Sequence, residues 1–266
     1  MSAVKLTYKL QAYGFCGHLL DWLRCFVSNR SQSVYINGRV SGVVDLSSGV
    51  PQGSALGPLL FLLYINDVCE VFNGNVKFKL YADDLKLYST VDTTTDADEI
   101  QRTLECIEEW SLLWQLQLSI NKCKHLHISN DSHEVVGYIL KGQVVENVDT
   151  FCDLGVMIDN KLRFNRHILY FVAKAHQRAN IILRCFITRD VGVLMKAFNT
   201  YVLPILDYCS PVWSPSYKCD VETIEKVQRR FTKRLHGLRE LSYSERLNKL
   251  NMSTLELRRI HNDLCM

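Results

Sequence analysis

No stretch of this chain is apolar for long enough to cross a bilayer. The longest strongly apolar run, Leu59 to Ile65, falls well short of the roughly 20 residues that a spanning helix needs. The N-terminus, MSAVKLTYKL, has no apolar stretch of the kind that marks a secretory signal. The 10 cysteines include no C-x-x-C pair. Without a secretion signal, scattered cysteines read as free thiols in a reducing compartment, which excludes a disulfide scaffold. These absences predict an intracellular protein of the cytoplasm or nucleus that is neither secreted nor membrane-bound. No internal repeat and no low-complexity segment interrupts the chain. A zinc site is also not supported. Cys123, His125 and His127 in NKCKHLHI alternate onto one face of a strand, but no fourth ligand stands at zinc spacing, so a structural role is expected.

What is present is an ordinary globular composition with an uneven charge. The 266 residues are 47% hydrophobic and 22% charged, which suits one large domain or two smaller ones. The net charge of +3 hides a split: residues 161–266 carry 19 Lys and Arg against 9 Asp and Glu, while residues 1–160 carry 12 against 19. This predicts a C-terminal part that meets a polyanion and an acidic part that holds cations.

The pattern changes along the chain. Residues 3–28 read as two amphipathic helices broken at YGFCG. SQSVYING and SGVVDLSS read as a strand pair turning at Asn37-Gly38, a strong hairpin signal. The loop SGVPQGSALGP leads into LLFLLYINDV, with Pro58 in the first helical turn. That helix is apolar nearly all round, which predicts burial on every side. KLYADDLKLY then reads as a β-hairpin: Val76, Phe78 and Leu80 lie on one face before Asp83-Asp84, and Leu85 and Leu87 follow. Ile100, Leu104, Ile107, Ser111 and Trp114 mark a long helix. Short strands are expected over about 123–158, with a turn at Asp159-Asn160, and helices from roughly 164 onward. A mixed part followed by a helical part predicts an α+β fold, with a strand-bearing domain over 1–164 and a helical domain over 165–266.

Four features carry chemistry. Asp-Asp is a poor choice for a two-residue turn, because the primed turns favour Asn-Gly or Asp-Gly and the two carboxylates repel. Adjacent carboxylates on a rigid tip are what a hard cation such as Mg²⁺ uses. Gly49, Gly53 and Gly57 free the loop at 47–58 for sharp turns or close approach. Within it Pro51 adds stiffness, and Gln52 offers a planar donor–acceptor pair for a base or sugar edge. Lys122, just after the long helix, could protonate a leaving pyrophosphate, although most lysines in such a place are simply solvated. Val221, Ile224, Val227, Phe231 and Leu235 form an apolar stripe, and Lys226, Arg229, Arg230, Lys233 and Arg234 lie mostly off it. Five cations with few compensating acids favour phosphate contacts over a merely solvated face.

Taken in order, SGVPQGSALGPLLFLLYINDV, LYADDLKLY, WQLQLSINKCKHLHI and DLGVMIDNKLRF resemble the reverse transcriptases of non-LTR (LINE-type) retrotransposons, most closely the jockey-like group. The resemblance continues through YVLPILDYCSPVWSP, IEKVQRRFTKRLHGL and YSERLNKLNMSTLELRR. It implies a partial right-hand polymerase palm followed by an all-helical thumb. It also implies template-directed transfer of a nucleotide to a primer 3′-oxygen, with Mg²⁺, or Mn²⁺ in its place, as cofactor. Its partners would be an RNA template, a DNA primer and deoxynucleoside triphosphates. Asp83 matches the first-choice metal ligand with Asp84 beside it, and both count as catalytic. Lys122 matches the family's proposed general acid. Pro51, Gln52 and Gly53, with Tyr81 and Ala82, match substrate and template contacts. DLGVMIDNKLRF matches the primer grip, and the basic helix near 221–236 belongs to the thumb.

One departure from the family pattern stands out. The family uses a further Asp on the first palm strand, in a motif like FLDFSKAFD, ahead of the counterpart of residues 3–28. No acidic residue of this chain precedes Asp21, which sits in the helical stretch GHLLDWLRCF. The expectation is a palm-and-thumb fragment that does not polymerise by itself. The alternative is a non-catalytic retroelement remnant that binds nucleic acid through its basic thumb.

Overall fold

The computed structural model describes residues 1–72, 74–129 and 136–265. Part of the expected strand region, 130–135, lies outside them. The fold is α+β, and it divides into two compact units: Met1–His125 with Val135–Glu146, and Leu126–Glu134 with Asn147–Met266. The division near residue 146 differs from the boundary expected at 164. The reason is packing: the last hairpin before the helices sends Val156 into the helical core.

In the first unit, α1 (Ala3–Ala12) and α2 (Gly17–Val27) are the two expected helices, separated by a turn with Gly14 at φ +88°. Their apolar stripes supply Leu6, Leu10, Leu20, Leu23 and Val27 to one core. β1 (Arg30–Gln32) pairs antiparallel with β4 (Val44–Leu46). Within that pair, β2 (Tyr35–Ile36) pairs with β3 (Arg39–Val40). Asn37 and Gly38 close this hairpin with φ of +48° and +82°, both positive as a type I′ turn requires.

α3 (Leu56–Ile65) is not buried all round as expected. Leu60, Tyr64 and Ile65 are buried, while Leu59 and Leu62 are 52% and 48% exposed. Apolar composition creates the opportunity for burial, but a side is covered only where an element packs on it. Here α1 and the 3₁₀ turn Asn66–Val71 pack on α3.

β5 (Lys77–Tyr81) and β6 (Asp84–Tyr88) form the expected hairpin. α4 (Thr94–Trp114) starts at a capping box in which the Thr93 and Asp96 side chains satisfy each other's backbone N–H groups. Ile107 and Ser111 on its expected stripe are buried, and Ile100 and Leu104 pack on a small cluster of Tyr138, Leu140 and Val145. A 3₁₀ turn (Ile120–Lys122) leads to β7 (Lys124–His125). β8 (Ile139–Leu140) and β9 (Gln143–Val144) pair around Lys141 and Gly142, both at positive φ, and β10 (Glu146–Asn147) follows. All sheets among the described residues are two-stranded ribbons. Strands this short bury little on their own, so the helices carry the core.

In the second unit, β11 (Thr150–Asp153) and β12 (Val156–Asp159) form a hairpin whose tip is Leu154-Gly155. The turn expected at Asp159-Asn160 is present, with the Leu162 N–H donating to the Asp159 carbonyl at 3.0 Å, and it ends β12 and leads into the helices. There the Asp159 carboxylate accepts from the backbone N–H groups of Lys161, Arg163 and Phe164 at 2.9, 3.2 and 3.0 Å. Helices run from there onward: α5 (Asn165–Cys185), α6 (Val191–Tyr201), α7 (Leu203–Asp207), α8 (Ser210–Trp213), α9 (Lys218–Lys233), α10 (Tyr243–Leu250) and α11 (Leu255–Leu264). Ile168, Phe171, Phe198, Trp213, Ile224, Val227 and Phe231 fill their common core. A buried polar network fastens α9 to the last two helices: Glu225 accepts from the Tyr243 hydroxyl and from the Leu255 N–H, and Gln228 Nε2 donates to the Ser253 carbonyl at 2.9 Å. The Glu225 carboxylate and the Gln228 Nε2 group would be costly to bury alone and find partners here, while Gln228 Oε1 stays buried without one among the described residues.

Candidate functional site

The alternation of apolar residues builds the tip that carries the paired carboxylates. Phe78 lies opposite Leu87, and Leu80 opposite Leu85, so these four share the inward face. Tyr81 lies opposite Asp84, so the loop residues are Ala82 and Asp83 rather than the two aspartates. Asp83 therefore occupies the turn, and Asp84 is the first residue of β6, on the exposed face with Tyr81. Ala82 has φ +51°, a left-handed conformation that costs a non-glycine residue about 1–2 kcal/mol. Both carboxylates are exposed, and among the described residues neither has a hydrogen-bond or ion-pair partner in its side chain. Two adjacent, uncompensated carboxylates on a two-residue turn form a site for positive charge.

The hairpin is anchored from below. Leu80 packs against the buried cluster of Ile65, Val68 and Trp110. At its start, the Asn75 N–H donates to Glu99 Oε1 of α4 at 2.9 Å. The loop before α3 is anchored to the neighbouring core, with Val50 and Leu56 packed against Leu60 and Tyr64. α3 therefore supports both the hairpin, through the cluster that holds Ile65, and the loop, through the cluster that holds Leu60 and Tyr64.

The loop has its own locks. Arg30 Nη2 donates to the Gly49 carbonyl at 2.7 Å. The Ser54 hydroxyl donates to the Pro51 carbonyl at 2.7 Å and accepts from the Gly57 N–H at 3.0 Å. A Cβ at Gly57 would stand 2.9 Å from the Pro51 carbonyl oxygen, so this glycine is needed for the close approach. Pro51 is half-buried, while Gln52 and Gly53 are exposed, with Gly53 at φ +81°. The loop thus offers the Gln52 amide to solvent on a fixed backbone.

Lys122 is exposed at the end of its 3₁₀ turn, and no hydrogen bond or ion pair joins it to Asp83 or Asp84 among the described residues. Cys123 and His125 are half-buried, and the ring of His125 meets Tyr138 edge-on at 4.9 Å. No group of three His, Cys, Asp or Glu able to hold a metal occurs among the described residues.

Sequence reasoning missed Lys9. It lies on the buried stripe of α1 beside Leu6 and Leu10, with its ammonium 2.5 Å from Asp67 Oδ1. Tyr64, Trp110 and Trp114 surround that ammonium at 4.6, 5.0 and 3.7 Å from their ring centres. Burial pushes the Lys9 ammonium below its ordinary pKa, and Asp67 partly restores it. The detectable signal was a lysine at the i+3 position from Leu6, on an otherwise apolar stripe.

In the helical unit, Ile224, Val227, Phe231 and Leu235 are buried as the stripe predicts, and Lys226, Arg229, Arg230, Lys233 and Arg234 are all exposed. The Arg229 guanidinium lies over the Tyr243 ring at 4.9 Å, and Arg234 Nη1 donates to Asn180 Oδ1 at 2.8 Å. Lys226, Arg230 and Lys233 have no acidic partner among the described residues.

Residues 3–156 match the family model described as reverse transcriptase (RNA-dependent DNA polymerase). The chain belongs to the reverse transcriptase family. It is 26% identical over 229 residues to the RNA-directed DNA polymerase from mobile element jockey of Drosophila funebris, covering 82% of this chain and 25% of that protein. It is 24% identical over 225 residues to the jockey polymerase of Drosophila melanogaster, covering 81% and 25%. It is 21% identical over 224 residues to the probable RNA-directed DNA polymerase from transposon X-element of the same fly, covering 81% and 24%. The chain thus spans about a quarter of the length of these relatives. Within this reverse transcriptase chain, the family match covers the loop at Pro51–Gly53, the Asp83–Asp84 hairpin and Lys122. α9 and its basic face lie beyond it.

Proposed function

We propose that this chain is part of an RNA-directed DNA polymerase of a non-LTR retrotransposon, with a palm-like segment over 1–164 and a thumb-like helical segment over 165–266. The observation that carries the reading is the uncompensated Asp83–Asp84 pair on an anchored two-residue turn, inside the segment that matches the family.

The donor chemistry of that pair fits a hard divalent cation, Mg²⁺ or Mn²⁺, through carboxylate oxygens. Such an ion, when bound, polarises the phosphate and the attacking and leaving oxygens of an in-line displacement. Asp83 and Asp84 would hold it. Tyr81 and Ala82 shape the hairpin tip against the primer end. The Pro51–Gln52–Gly53 backbone bears on the incoming nucleotide, and the Gln52 amide meets its sugar or base edge. Lys122 supplies a proton to the leaving pyrophosphate. Lys226, Arg229, Arg230, Lys233 and Arg234 hold the phosphates of an RNA–DNA duplex.

The second reading is a remnant that binds nucleic acid without catalysis. It is favoured by the absence of a third ligating side chain beside the pair among the described residues. Two carboxylates leave most of an octahedral shell to water, so the chain by itself is expected not to extend primers.

The test is RNA-templated primer extension with Mg²⁺ or Mn²⁺. It compares the chain alone with a chimaera in which the chain replaces the aligned segment of the Drosophila funebris jockey polymerase. Extension by the chimaera, lost with Asp83→Ala, supports the polymerase reading. Extension that survives Asp83→Ala overturns the site. A chimaera that binds duplex but never extends a primer favours the remnant.

A further inference from the structure

The basic face of α9 does not stand alone. Asn165 Nδ2 of α5 donates to Asp220 Oδ2 of α9 at 3.1 Å, and further along Arg234 Nη1 donates to Asn180 Oδ1 at 2.8 Å. The sequence separations are 55 and 54 residues, so the two helices advance in parallel and in step. Between these two rungs, one turn before Asn180 and Arg234, His176 of α5 meets the field of Arg230 of α9. One helical turn is about 5.4 Å, so His176 stands one turn before Asn180 on α5, and Arg230 one turn before Arg234, on the same seam.

We propose that His176 is a phosphate contact of this seam and takes up a proton as a nucleic-acid backbone docks on Arg230 and Arg234. This rests on the thumb-like reading of the helical unit given above.

The argument is electrostatic and local. His176 is half-buried, and no hydrogen bond engages its ring among the described residues. Burial and the Arg230 charge both disfavour its imidazolium, so in the free protein it titrates below the ordinary histidine value. The elements packed on α5 include α6, α7, α9 and β12, and also α8 through Trp213, which brings no charged group. Of their charged groups, Arg230 is the one that acts on His176, and no carboxylate offsets it among the described residues. Arg230 itself has no acidic partner there. A phosphate drawn to Arg230 reverses the sign of the local field. It cancels the guanidinium charge felt by the ring and offers acceptor oxygens that an imidazolium N–H can meet. The occupant is therefore a polyanion with regularly spaced phosphates, which suits Arg230 and Arg234 at the end of the seam away from Asp220.

The linkage has a definite sign. Binding raises the pKa of His176, so its contribution to affinity is complete below the free-state value and is lost as pH rises through the bound-state value. One proton taken up gives a slope of up to about tenfold in affinity per pH unit.

The experiment measures binding of an RNA–DNA duplex to the full chain by fluorescence anisotropy at fixed salt, from about pH 5.5 to about pH 7.5. His176→Gln is measured alongside, and the His176 ring resonances are titrated with and without duplex. The expected result is affinity that rises as pH falls, a flatter profile in His176→Gln, and a ring pKa that moves up when duplex is added. In Arg230→Gln the ring pKa should be raised already in the free protein. An unchanged ring pKa in the presence of bound duplex, or an equal pH slope in His176→Gln, overturns the inference and leaves the thumb-like reading standing. No duplex binding at any pH overturns both.

Discussion

Lys9 Nζ lies 2.5 Å from Asp67 Oδ1 and 3.7 Å from the centre of the Trp114 ring. This joins α1 to the 3₁₀ turn that follows α3 and to α4 beneath the hairpin that carries Asp83. The two partners are unequal, because the Lys9 side chain is 4% exposed and that of Asp67 is 23% exposed. Removing the carboxylate leaves a buried ammonium with no ion-pair partner and only the Tyr64 carbonyl to accept from it among the described residues, whereas removing the ammonium leaves a carboxylate that still reaches water. Asp67→Ala should therefore destabilise the chain by about 3 kcal/mol or more, and Lys9→Met by less. Denaturant melts of both variants give the comparison, and an equal cost would contradict this ranking.

Asp83 and Asp84 should bind a divalent cation weakly. Two oxygen donors without a third protein ligand leave the ion largely hydrated. Paramagnetic Mn²⁺ at high concentration should broaden resonances of Tyr81 to Leu85 before those of the helical unit. If Asp83→Asn left that broadening unchanged, the ion would have to be elsewhere.

Ala82 holds φ +51° in the two-residue loop. Glycine has no Cβ penalty there, so Ala82→Gly should stabilise the hairpin, offset in part by the greater entropy of the unfolded chain. The net gain is expected to be about 0.5–1 kcal/mol, read from thermal melts. A loss of stability would show that the Ala82 methyl group is held by a contact.

The exposed cations of α9 should bind an RNA–DNA duplex with little sequence preference. Charge reversal of Arg229, Arg230 and Lys233 should cut affinity steeply. It should also flatten the salt dependence, since each lost phosphate contact removes roughly 0.7–0.9 from the slope of log K against log salt. Wild-type binding by the triple variant would remove the basic face from the interface.

Asp159 makes the stability of the helical unit sensitive to acid. Burial pushes its carboxyl up, but the N–H groups of Arg163, Lys161 and Phe164 and the Arg163 charge outweigh burial and hold it below the usual carboxylate range. A lowered folded-state pKa gives stability that is complete above the unfolded value near 3.8 and lost as pH falls through the folded value. Thermal melts of wild type should therefore fall below about pH 4, and those of Asp159→Asn should start lower and fall less. Parallel curves would exclude the carboxylate as the cause.

Much was legible before the structure. Asn37-Gly38 declares its own turn because both residues tolerate positive φ. The alternation around Asp83 and Asp84 requires a hairpin with one apolar face, and 77–88 forms it. The split between the apolar and basic faces of α9 is likewise a property of helical spacing. Less legible was the tip itself, where pairing of Tyr81 with Asp84 moved the loop back to Ala82-Asp83. Register depends on how both strands sit on the core, and Leu80 packing against the cluster of Ile65, Val68 and Trp110 sets it.

The sequence by itself determined the local elements, the charge split and the family, because these depend on periodicity, turn chemistry and the order of motifs along the chain. Only the tertiary structure decided which polar groups are buried and what satisfies them. Lys9 meets Asp67 across 58 residues, and Glu225 meets the Leu255 N–H across 30. It also decided that Leu59 and Leu62 stay exposed, and that the β11–β12 hairpin joins the helical core through Val156. The physical reason is common to all of these: burial and compensation of charge depend on neighbours brought together by folding, and no window of adjacent residues contains them.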